Sequence, residues 1–305
     1  MEARPNFIIP GAGRSGTTAL ASYLDQHPEV FISKLKEPNF FSENYYLGID
    51  WYVSLFRDSA EFGRFELLRY FTKRLAGTER VFGEASTNYL IHPDAPKRIH
   101  NFNPEMKFIF MLRDPAERAY SSYKYAVQYD GLDRPFEEII RLGDIDEIQE
   151  YFDIKSSLYH TNISRFLDYF PRERMLFVIF EEFVRNPEGE LKRILRFLGV
   201  DESFEFDPSK VNQNAAVPPV STKLQKLIHR IDKARRLDDN IVKFALLTGL
   251  KEVGNWVNHS LVRKKFPRLN PELREYMYRE YFAGEVEGLE KILGRELKMW
   301  GKRPR

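Results

Sequence analysis

FIIPGAGRSGTTAL, the stretch from Phe7 to Leu20, joins an apolar run to a glycine-rich loop and then to a helix start. Phe7–Pro10 has the composition of a strand that is buried on both faces, and Thr17–Gln26 has helical spacing. Glycines in such a loop let the backbone approach a ligand and point its N–H groups inward, while the helix N-terminus adds positive potential. The loop is therefore predicted to bind a phosphate.

The same alternation of strand and helix continues along the chain. Further strand-like runs are Val30–Ser33, Arg80–Gly83, Lys107–Leu112 and Met175–Phe180, and helical stretches are Pro115–Gln128, Ile148–Tyr169 and Pro187–Leu198. This order predicts an α/β fold with a P-loop-like, doubly wound parallel sheet flanked by helices. We expect 1–305 to form a single domain, with the α/β core in 1–200. The mainly helical part, 201–305, would complete the site.

Composition excludes several classes of protein. The 305 residues are 43% hydrophobic, which excludes a disordered chain, and the absence of cysteine excludes disulfides, thiolate–zinc sites and a cysteine nucleophile. The six histidines show no metal-binding spacing, so no metal is expected. No apolar run approaches the ~20 residues of a membrane span, and a strand-like run by Phe7 leaves no room for a signal peptide. We expect a soluble, cytoplasmic protein.

Charge is unevenly distributed along the chain. The formal net charge is only +2, yet Ser221–Asn270 contains 12 Lys and Arg against 4 Asp and Glu. Such a segment either attracts an anionic partner or is the solvated face of a helix. Its basic residues are not interleaved with stacking aromatics, and no RRM, KH or zinc-finger pattern is present. We therefore expect no nucleic-acid partner.

The first loop differs from the Walker pattern GxxxxGK[ST]. Gly11 and Gly16 have the right spacing, but Thr17 stands where the lysine would be, and the cation is Arg14. Because P-loop NTPases use that lysine on the β- and γ-phosphates, its absence argues against NTP hydrolysis. The loop favours a donor with one phosphate at this point. A kinase-like phosphotransferase nevertheless stays an alternative.

A second arm follows the strand Lys107–Leu112. The sequence KFIFMLRDPAERAYSSYK places Arg113 at the strand end and Ser121 two turns into the next helix. Open α/β sheets bind ligands at the carboxyl ends of their strands. Arg113 and Ser121 could therefore bind a second phosphate, although Arg113 could also form a salt bridge with Asp114 or Glu117.

These motifs, with KEPNFF at Lys36–Phe41 and GEASTNYL at Gly83–Leu90, resemble the sulfotransferases that use 3′-phosphoadenosine 5′-phosphosulfate (PAPS). The resemblance is to the heparan-sulfate N- and 3-O-sulfotransferase domains and their bacterial counterparts. It covers most of Phe7–Val200 and returns at Arg263–Trp300. It implies sulfonate transfer from PAPS to a hydroxyl or amine of a carbohydrate or small-molecule acceptor, with PAP as product and no metal.

The resemblance also implies roles for single residues. Arg113, Ser121 and, in a late basic loop, Lys264 would bind the 3′-phosphate of the donor. Glu37 matches the general base, and Arg14 replaces the lysine of the family's phosphosulfate loop. The residues of that loop are Gly11, Ala12, Gly13, Arg14, Ser15, Gly16, Thr17 and Thr18.

Other residues near these motifs leave alternatives open. Ala85 stands where the heparan-sulfate enzymes have a lysine, so sulfonate stabilisation would fall to Arg14 and Lys36, although Lys36 could be a solvated charge. Pro38 predicts an extended conformation for Glu37. Glu84 could orient Arg14, contact the acceptor or only favour the following turn. His160 is expected to pack against its own helix rather than to take part in catalysis.

Overall fold

A computed structural model of the chain describes residues 4–33, 35–56, 81–211 and 266–300. In these residues a five-stranded parallel sheet has the order β2-β3-β1-β4-β5. Its strands are β1 Phe7–Ile9, β2 Val30–Ile32, β3 Val81–Ala85, β4 Lys107–Leu112 and β5 Met175–Ile179. The predicted parallel sheet is confirmed, and each strand begins and ends within two residues of its predicted run.

Helices occupy most of the connections between the strands. The sequence explains α9 well, because the Asn186 side chain accepts from Gly189 N–H, Pro187 is the first helical residue, and Gly199 ends the helix with a φ of 83°. The helices are α1 Thr17–Leu24, α2 Gly48–Ser54, α3 Ala95–Phe102, α4 Pro115–Tyr125, α5 Phe136–Ile140, α6 Ile145–Gln149, α7 Tyr159–Leu167, α8 Phe180–Arg185, α9 Pro187–Leu198, α10 Pro271–Met277 and α11 Ala283–Leu293.

Both faces of the sheet are buried, as a doubly wound fold requires. Alternate strand residues on one face join α1 and α9 in an apolar core that includes Phe7, Ile9, Ile109, Met111 and Val178. The other face is aromatic. There Phe108 and Phe110 of β4 and Phe177 of β5 pack with Phe166 and Phe170, with ring centroids 4.7–5.2 Å apart for several pairs.

The chain divides into two compact units. The first comprises Met1–Asp114, Leu158–Gln213 and Gly284–Lys302 and contains the sheet; the second comprises Pro115–Ser157, Asn214–Ala283 and Arg303–Arg305. That 1–305 form one domain stays a prediction. Much of 201–305, including Ser221–Asn270 as far as residue 265, lies outside the described residues.

The predicted helix Ile148–Tyr169 is wrong, because the segment forms the end of α6, a connection and α7. The Gln149 side chain accepts from the N–H groups of Ile154 and Lys155, at 2.9 and 3.0 Å, and so replaces helical hydrogen bonds there. Arg118, fully buried on α4, donates to the carboxylate of Asp153 at 3.0 Å. These contacts in the second unit override the helical pattern of the sequence.

The order of the strands decides where a ligand can bind. From β1 the chain moves to β2 and β3 on one side of the sheet, and from β3 it crosses over β1 to β4 and β5 on the other. Connections that leave adjacent strands in opposite directions open a crevice at the carboxyl ends of those strands. Here the adjacent strands are β1, which the first loop follows, and β4, which Arg113 follows.

The close packing of β1 against β3 gives a stability prediction. A Cβ at Gly83 would lie 2.4 Å from the buried Phe7 ring, whereas one at the exposed Gly284 of α11 would have no neighbour within 4 Å. We expect Gly83→Ala to lower the unfolding free energy by about 1–3 kcal/mol. Gly284→Ala is the matched control and should leave it unchanged or raise it by up to about 1 kcal/mol. Urea unfolding of the two variants measures both effects, and equal midpoints would contradict the packing.

Candidate active site

The first loop lies between the strand ends of β3 and β4. Leu90 N–H, after β3, donates to Pro10 O at 3.0 Å, and Ala12 N–H donates to Met111 O of β4 at 2.8 Å. Gly11 and Gly16 have φ values of 141° and 92°, and Cβ atoms there would come within 3.0 Å of Leu90 and 3.1 Å of Phe180. Glycine is therefore required at both ends of the loop by conformation and by space.

The loop fits an anionic group. Gly16 caps α1 without a side-chain hydrogen bond, so the first N–H groups of the helix keep their capacity to bind a ligand. Ser15 is fully buried, and its Oγ forms no hydrogen bond within the described residues, which suits an oxygen-rich ligand. The structure brings Gly11–Thr18 together at this edge of the sheet, and their predicted contacts with a phosphosulfate stay a prediction.

Two arginines meet at the crevice between β1 and β4. Arg113 Nη1 donates to the carbonyl oxygen of Arg14 at 3.4 Å, and the Arg113 guanidinium lies 5.0 Å from the centroid of the Phe180 ring. Both side chains are partly exposed. Two cationic groups beside an anion-binding loop can hold a ligand that carries separate negative charges.

The backbone of Arg113 is fixed by residues from three other parts of the chain. Tyr159 OH donates to Arg113 O at 2.7 Å, and Glu181 Oε1 accepts from Asp114 N–H at 3.0 Å. Trp300 supports both partners, because its Nε1–H donates to Glu181 Oε2 at 2.9 Å and its ring lies 5.7 Å from that of Tyr159. We call these three residues, Tyr159, Glu181 and Trp300, the Arg113 bracket.

The other residues predicted to bind the 3′-phosphate belong to the second unit. Ser121 is buried on α4. Lys264 lies outside the described residues, but Pro267, three residues later, accepts a hydrogen bond from Tyr120 OH at 2.9 Å. The late loop thus contacts α4 beside Ser121 within this unit. The roles of Ser121 and Lys264 stay predictions.

Glu37 lies partly buried in the segment after β2. Thr87 Oγ1 donates to its Oε1 at 3.4 Å, and Thr87 would also contact a Cβ placed at Gly13. Burial raises the pKa of the Glu37 carboxyl, against the opposing effects of the Lys36 charge and the Thr87 hydrogen bond. A carboxylate made more basic beside an anion-binding loop is suited to take a proton. Lys36 is exposed, and its catalytic role stays a prediction.

The predicted extended conformation of Glu37 is wrong. Its φ is 56°, and Asn39 has a φ of 48°, so both residues lie in the left-handed region on either side of Pro38. Such a conformation costs a residue other than glycine or asparagine about 1–2 kcal/mol. This turn is held both by its own segment, where Asn44 Nδ2 donates to Pro38 O at 2.8 Å, and by the segment after β3, where Ser86 Oγ accepts from Asn39 N–H at 3.0 Å. The sequence pattern does not reveal these partners.

Glu84, at the end of β3, is fully buried. Its carboxylate accepts from Tyr52 OH at 3.2 Å and from Ser86 Oγ at 2.6 Å, and Tyr89 OH also hydrogen-bonds to it. Burial raises its pKa to about 7, although the three hydroxyls act in the opposite direction. The roles considered for Glu84 from the sequence, which were to orient Arg14, to contact the acceptor or to favour the following turn, did not include this hydrogen-bond network.

The structure also places Ala85 and His160. Ala85 is buried in the apolar core beside β1, which leaves sulfonate stabilisation to other residues. His160 is exposed and lies against α11, where a Cβ at Gly288 would be 2.2 Å from its ring. The expectation that it packs against its own helix stays a prediction. In the described part of the chain, no three His, Asp or Glu residues are grouped so that they could hold a metal ion.

The model of the sulfotransferase family matches residues 5–205. The chain belongs to this family. The match includes the first loop, Glu37, Glu84 and Arg113, so the residues that meet at the sheet edge lie within the part of the chain that defines a sulfotransferase.

Several known sulfotransferases are similar to this chain. Mouse bifunctional heparan sulfate N-deacetylase/N-sulfotransferase 4 is 30% identical over 227 residues, which are 68% of this chain and 24% of that protein. Human heparan sulfate glucosamine 3-O-sulfotransferase 6 is 31% identical over 214 residues, 68% of this chain and 57% of that protein. The chain thus spans less than two thirds of these relatives. The crystal structure of a sulfotransferase from Alicyclobacillus acidocaldarius has 26% identity and a TM-score of 0.67, covering 98% and 99% of the two chains.

Sequence reasoning missed four hydroxyl-bearing residues that surround Glu37 and Glu84. Ser86, Thr87 and Tyr89 follow Glu84, and Tyr52 lies in α2. The motif GEASTNYL contains the first three, and the only signal of their hydrogen-bonding role is the spacing of their hydroxyl groups after Glu84. The hydrogen bonds that join this motif to Glu37, Asn39, Phe41 and Tyr52 span 32 to 50 residues of sequence, so no local pattern could have paired these residues.

Buried Glu84 makes stability depend on pH. Its pKa is about 7 in the folded protein against an ordinary 4.5, so the folded state binds its proton more tightly than the unfolded state does. This stabilisation is complete below about pH 4.5 and is lost as the pH rises through about 7. Between pH 5 and 8 we expect wild type to lose about 2–3 kcal/mol of unfolding free energy relative to Glu84→Gln. Urea unfolding at both pH values tests this; parallel pH dependences would contradict it.

Proposed function

We propose that this protein transfers a sulfonate group from PAPS to a hydroxyl or amine of a carbohydrate or small-molecule acceptor. The observation that carries the proposal is the first loop, a glycine-framed anion cradle in which Thr17 replaces the lysine of NTPases, within a sulfotransferase family match. Arg113 lies beside this loop, where it could bind the second phosphate of a sulfonate donor such as PAPS.

PAPS supplies an activated sulfonate whose S–O bond to the 5′-phosphate breaks as a new S–O bond to the acceptor forms. Backbone N–H groups of the loop and Arg14 stabilise the negative charge that the leaving phosphate gains. Glu37 accepts the proton of the acceptor hydroxyl, and Thr87 orients its carboxylate. Lys36 and Arg14 offset charge on the sulfonate oxygens, since Ala85 supplies no cation.

The acceptor and the compartment belong to the same proposal. The similarity to heparan-sulfate enzymes favours carbohydrate hydroxyls and amines, and a screen of radiolabelled PAPS against glycans, phenols and lipid alcohols identifies the class. No helix among the described residues is long and apolar enough to cross a membrane. We propose a cytoplasmic enzyme, which fractionation of cells that express the full chain tests.

A kinase-like phosphotransferase and a non-catalytic anion- or nucleic-acid-binding protein are the alternatives, and family membership favours neither. Calorimetry separates all three. We expect PAP to bind and ATP with Mg²⁺ to bind more weakly. Preference for ATP–Mg²⁺ would indicate a kinase, whereas salt-sensitive binding of a DNA or RNA oligonucleotide without PAP binding would indicate the non-catalytic protein.

Arg113 is predicted to recognise the 3′-phosphate of the donor. A charge-assisted hydrogen bond contributes about 1.5–3 kcal/mol, so Arg113→Ala should weaken PAP binding about 10- to 150-fold. Wild type should prefer PAP to AMP by a similar factor, which the variant should lose. Arg196→Ala, which removes an exposed arginine paired with Glu202, is the control and should bind PAP normally. Equal wild-type affinity for PAP and AMP would refute the assignment.

Arg14 should act mainly on the transition state, where the leaving phosphate gains charge. Arg14→Ala should therefore lower kcat more than it weakens PAPS binding, and Arg14→Lys should retain much of the activity. Steady-state kinetics with varied PAPS separates the two effects. A change confined to the KM for PAPS would make Arg14 a binding residue only.

Glu37 is predicted to be the general base. Glu37→Gln keeps the shape and removes the basicity, so kcat should fall about 10²- to 10⁴-fold while PAP binding stays within a few-fold. The loss should be smaller with nitrophenol, whose hydroxyl is already acidic. Glu43→Gln, on the same segment but exposed, is the matched control and should keep near-normal turnover. Normal turnover in Glu37→Gln would move the role to another group.

A further inference from the structure

We propose that Glu84 is a positioning residue for the sulfonate transfer. Its buried carboxylate binds two hydroxyl groups, and each of these accepts a hydrogen bond from a backbone N–H near Glu37. We call each such hydroxyl a relay, and through the two relays Glu84 holds the turn that contains Glu37. The inference rests on the proposed role of Glu37 as general base. It assigns a function to the buried network of Glu84, Ser86 and Tyr89, none of which is placed in contact with donor or acceptor.

The first relay runs through Ser86. Its hydroxyl donates to Glu84 Oε2 at 2.6 Å and accepts from the backbone N–H of Asn39 at 3.0 Å. A serine hydroxyl has one hydrogen, and because Glu84 takes it, a lone pair remains directed to Asn39. The carboxylate thus decides which way the hydroxyl points.

The second relay has the same construction. Tyr89 OH hydrogen-bonds to Glu84 and accepts from the backbone N–H of Phe41 at 3.3 Å, and it also hydrogen-bonds to Ser86, which joins the two relays. The two relays therefore hold alternate N–H groups of one short segment. Tyr89 is fully buried, and its ring lies 5.7 Å from the ring of Phe41, which keeps this hydrogen bond away from water.

The held segment needs such support. Glu37 and Asn39 both have left-handed φ values, and Pro38 between them has no N–H to donate. A turn in this conformation persists only where surrounding contacts determine it. Asn44 Nδ2 donates to Pro38 O at 2.8 Å, and the relays add the anchored N–H groups nearest to Glu37, those of Asn39 and Phe41. Together these hydrogen bonds fix the direction in which the Glu37 carboxylate faces the first loop.

A carboxylate has no donor that competes with the relays. It accepts hydrogen bonds at both oxygens, whereas an amide or a protonated acid has a donor on one side, and a relay hydroxyl that faces this donor must turn and release its N–H partner. Tyr52 donates to the same carboxylate at 3.2 Å, but among the described residues after β2, 35–44, no backbone N–H donates to it. Its ring stacks on Phe40 with centroids 4.6 Å apart. Tyr52 and Tyr89 thus form a matched pair, of which Tyr89 alone belongs to a relay.

The first experiment compares four variants in hydrolysis of radiolabelled PAPS by excess enzyme, with water as the acceptor. Glu84→Gln, Ser86→Ala and Tyr89→Phe should slow hydrolysis about 10- to 100-fold, since small misplacements of a reacting group have effects of this size. Tyr52→Phe should stay within about threefold of wild type. PAP affinity should be unchanged in all four. Equal effects of the two Tyr→Phe variants would overturn the relays.

Amide hydrogen exchange in the ligand-free protein provides a readout that is independent of activity. The N–H groups of Asn39 and Phe41 should exchange faster in Glu84→Gln than in wild type, and Tyr52→Phe should leave both unchanged. Unchanged exchange in Glu84→Gln, in a protein that unfolds cooperatively in urea, would overturn the proposal.

A double-mutant cycle separates positioning from the general-base role. If Glu84 acts through Glu37, Glu84→Gln should slow the wild-type enzyme but have little further effect in a Glu37→Gln background. The same slowing in both backgrounds would overturn positioning while keeping Glu37 as base. Near-normal hydrolysis by Glu37→Gln alone would overturn the general-base role instead.

Discussion

The place of β1 between β3 and β4 is the constraint on which the rest of this structure depends. Because the three strands are parallel, their carboxyl ends lie at one edge, and the loops that follow them must share that edge. The first loop bonds to Leu90 on one side and to Met111 on the other. The first loop after β1, Glu84 at the end of β3 and Arg113 after β4 therefore lie at the same edge. More than 70 residues of sequence separate Arg14 from the loops that follow β3 and β4.

A buried carboxylate stands at the centre of this arrangement and reduces stability there. Glu84 lies in a fully buried site with hydroxyls as its hydrogen-bond partners, and burial raises its pKa to about 7, which opposes its charged form. An apolar residue or an amide would cost the fold less free energy at neutral pH. Strain and buried charge of this kind concentrate at functional sites, and the left-handed Glu37–Asn39 turn lies on the same network.

Much of the fold could be predicted from the sequence, because buried parallel strands and glycine-rich turns leave strong local patterns. Lys107–Leu112 and Pro187–Leu198 have their predicted bounds, and the first loop has its predicted place. Ile148–Tyr169 failed because side chains of the second unit end α6 early. Glu37 was identified by a motif, but its conformation was missed because the segment that contains it bonds to distant residues, Asn39 to Ser86 and Phe41 to Tyr89, which are 47 and 48 residues apart in the sequence. Local patterns carry no information about such partners.

The Arg113 bracket has a consequence for the order in which the protein can mature. Arg113 leaves the ribosome early, yet Trp300, which supports Glu181 and Tyr159, is made nearly two hundred residues later. A nascent chain can therefore form its sheet and its glycine-rich loop well before the arm that carries Arg113 is held in place. The position of Arg113 is therefore completed only after Trp300 has been made, and Trp300 acts on it through Glu181 and Tyr159.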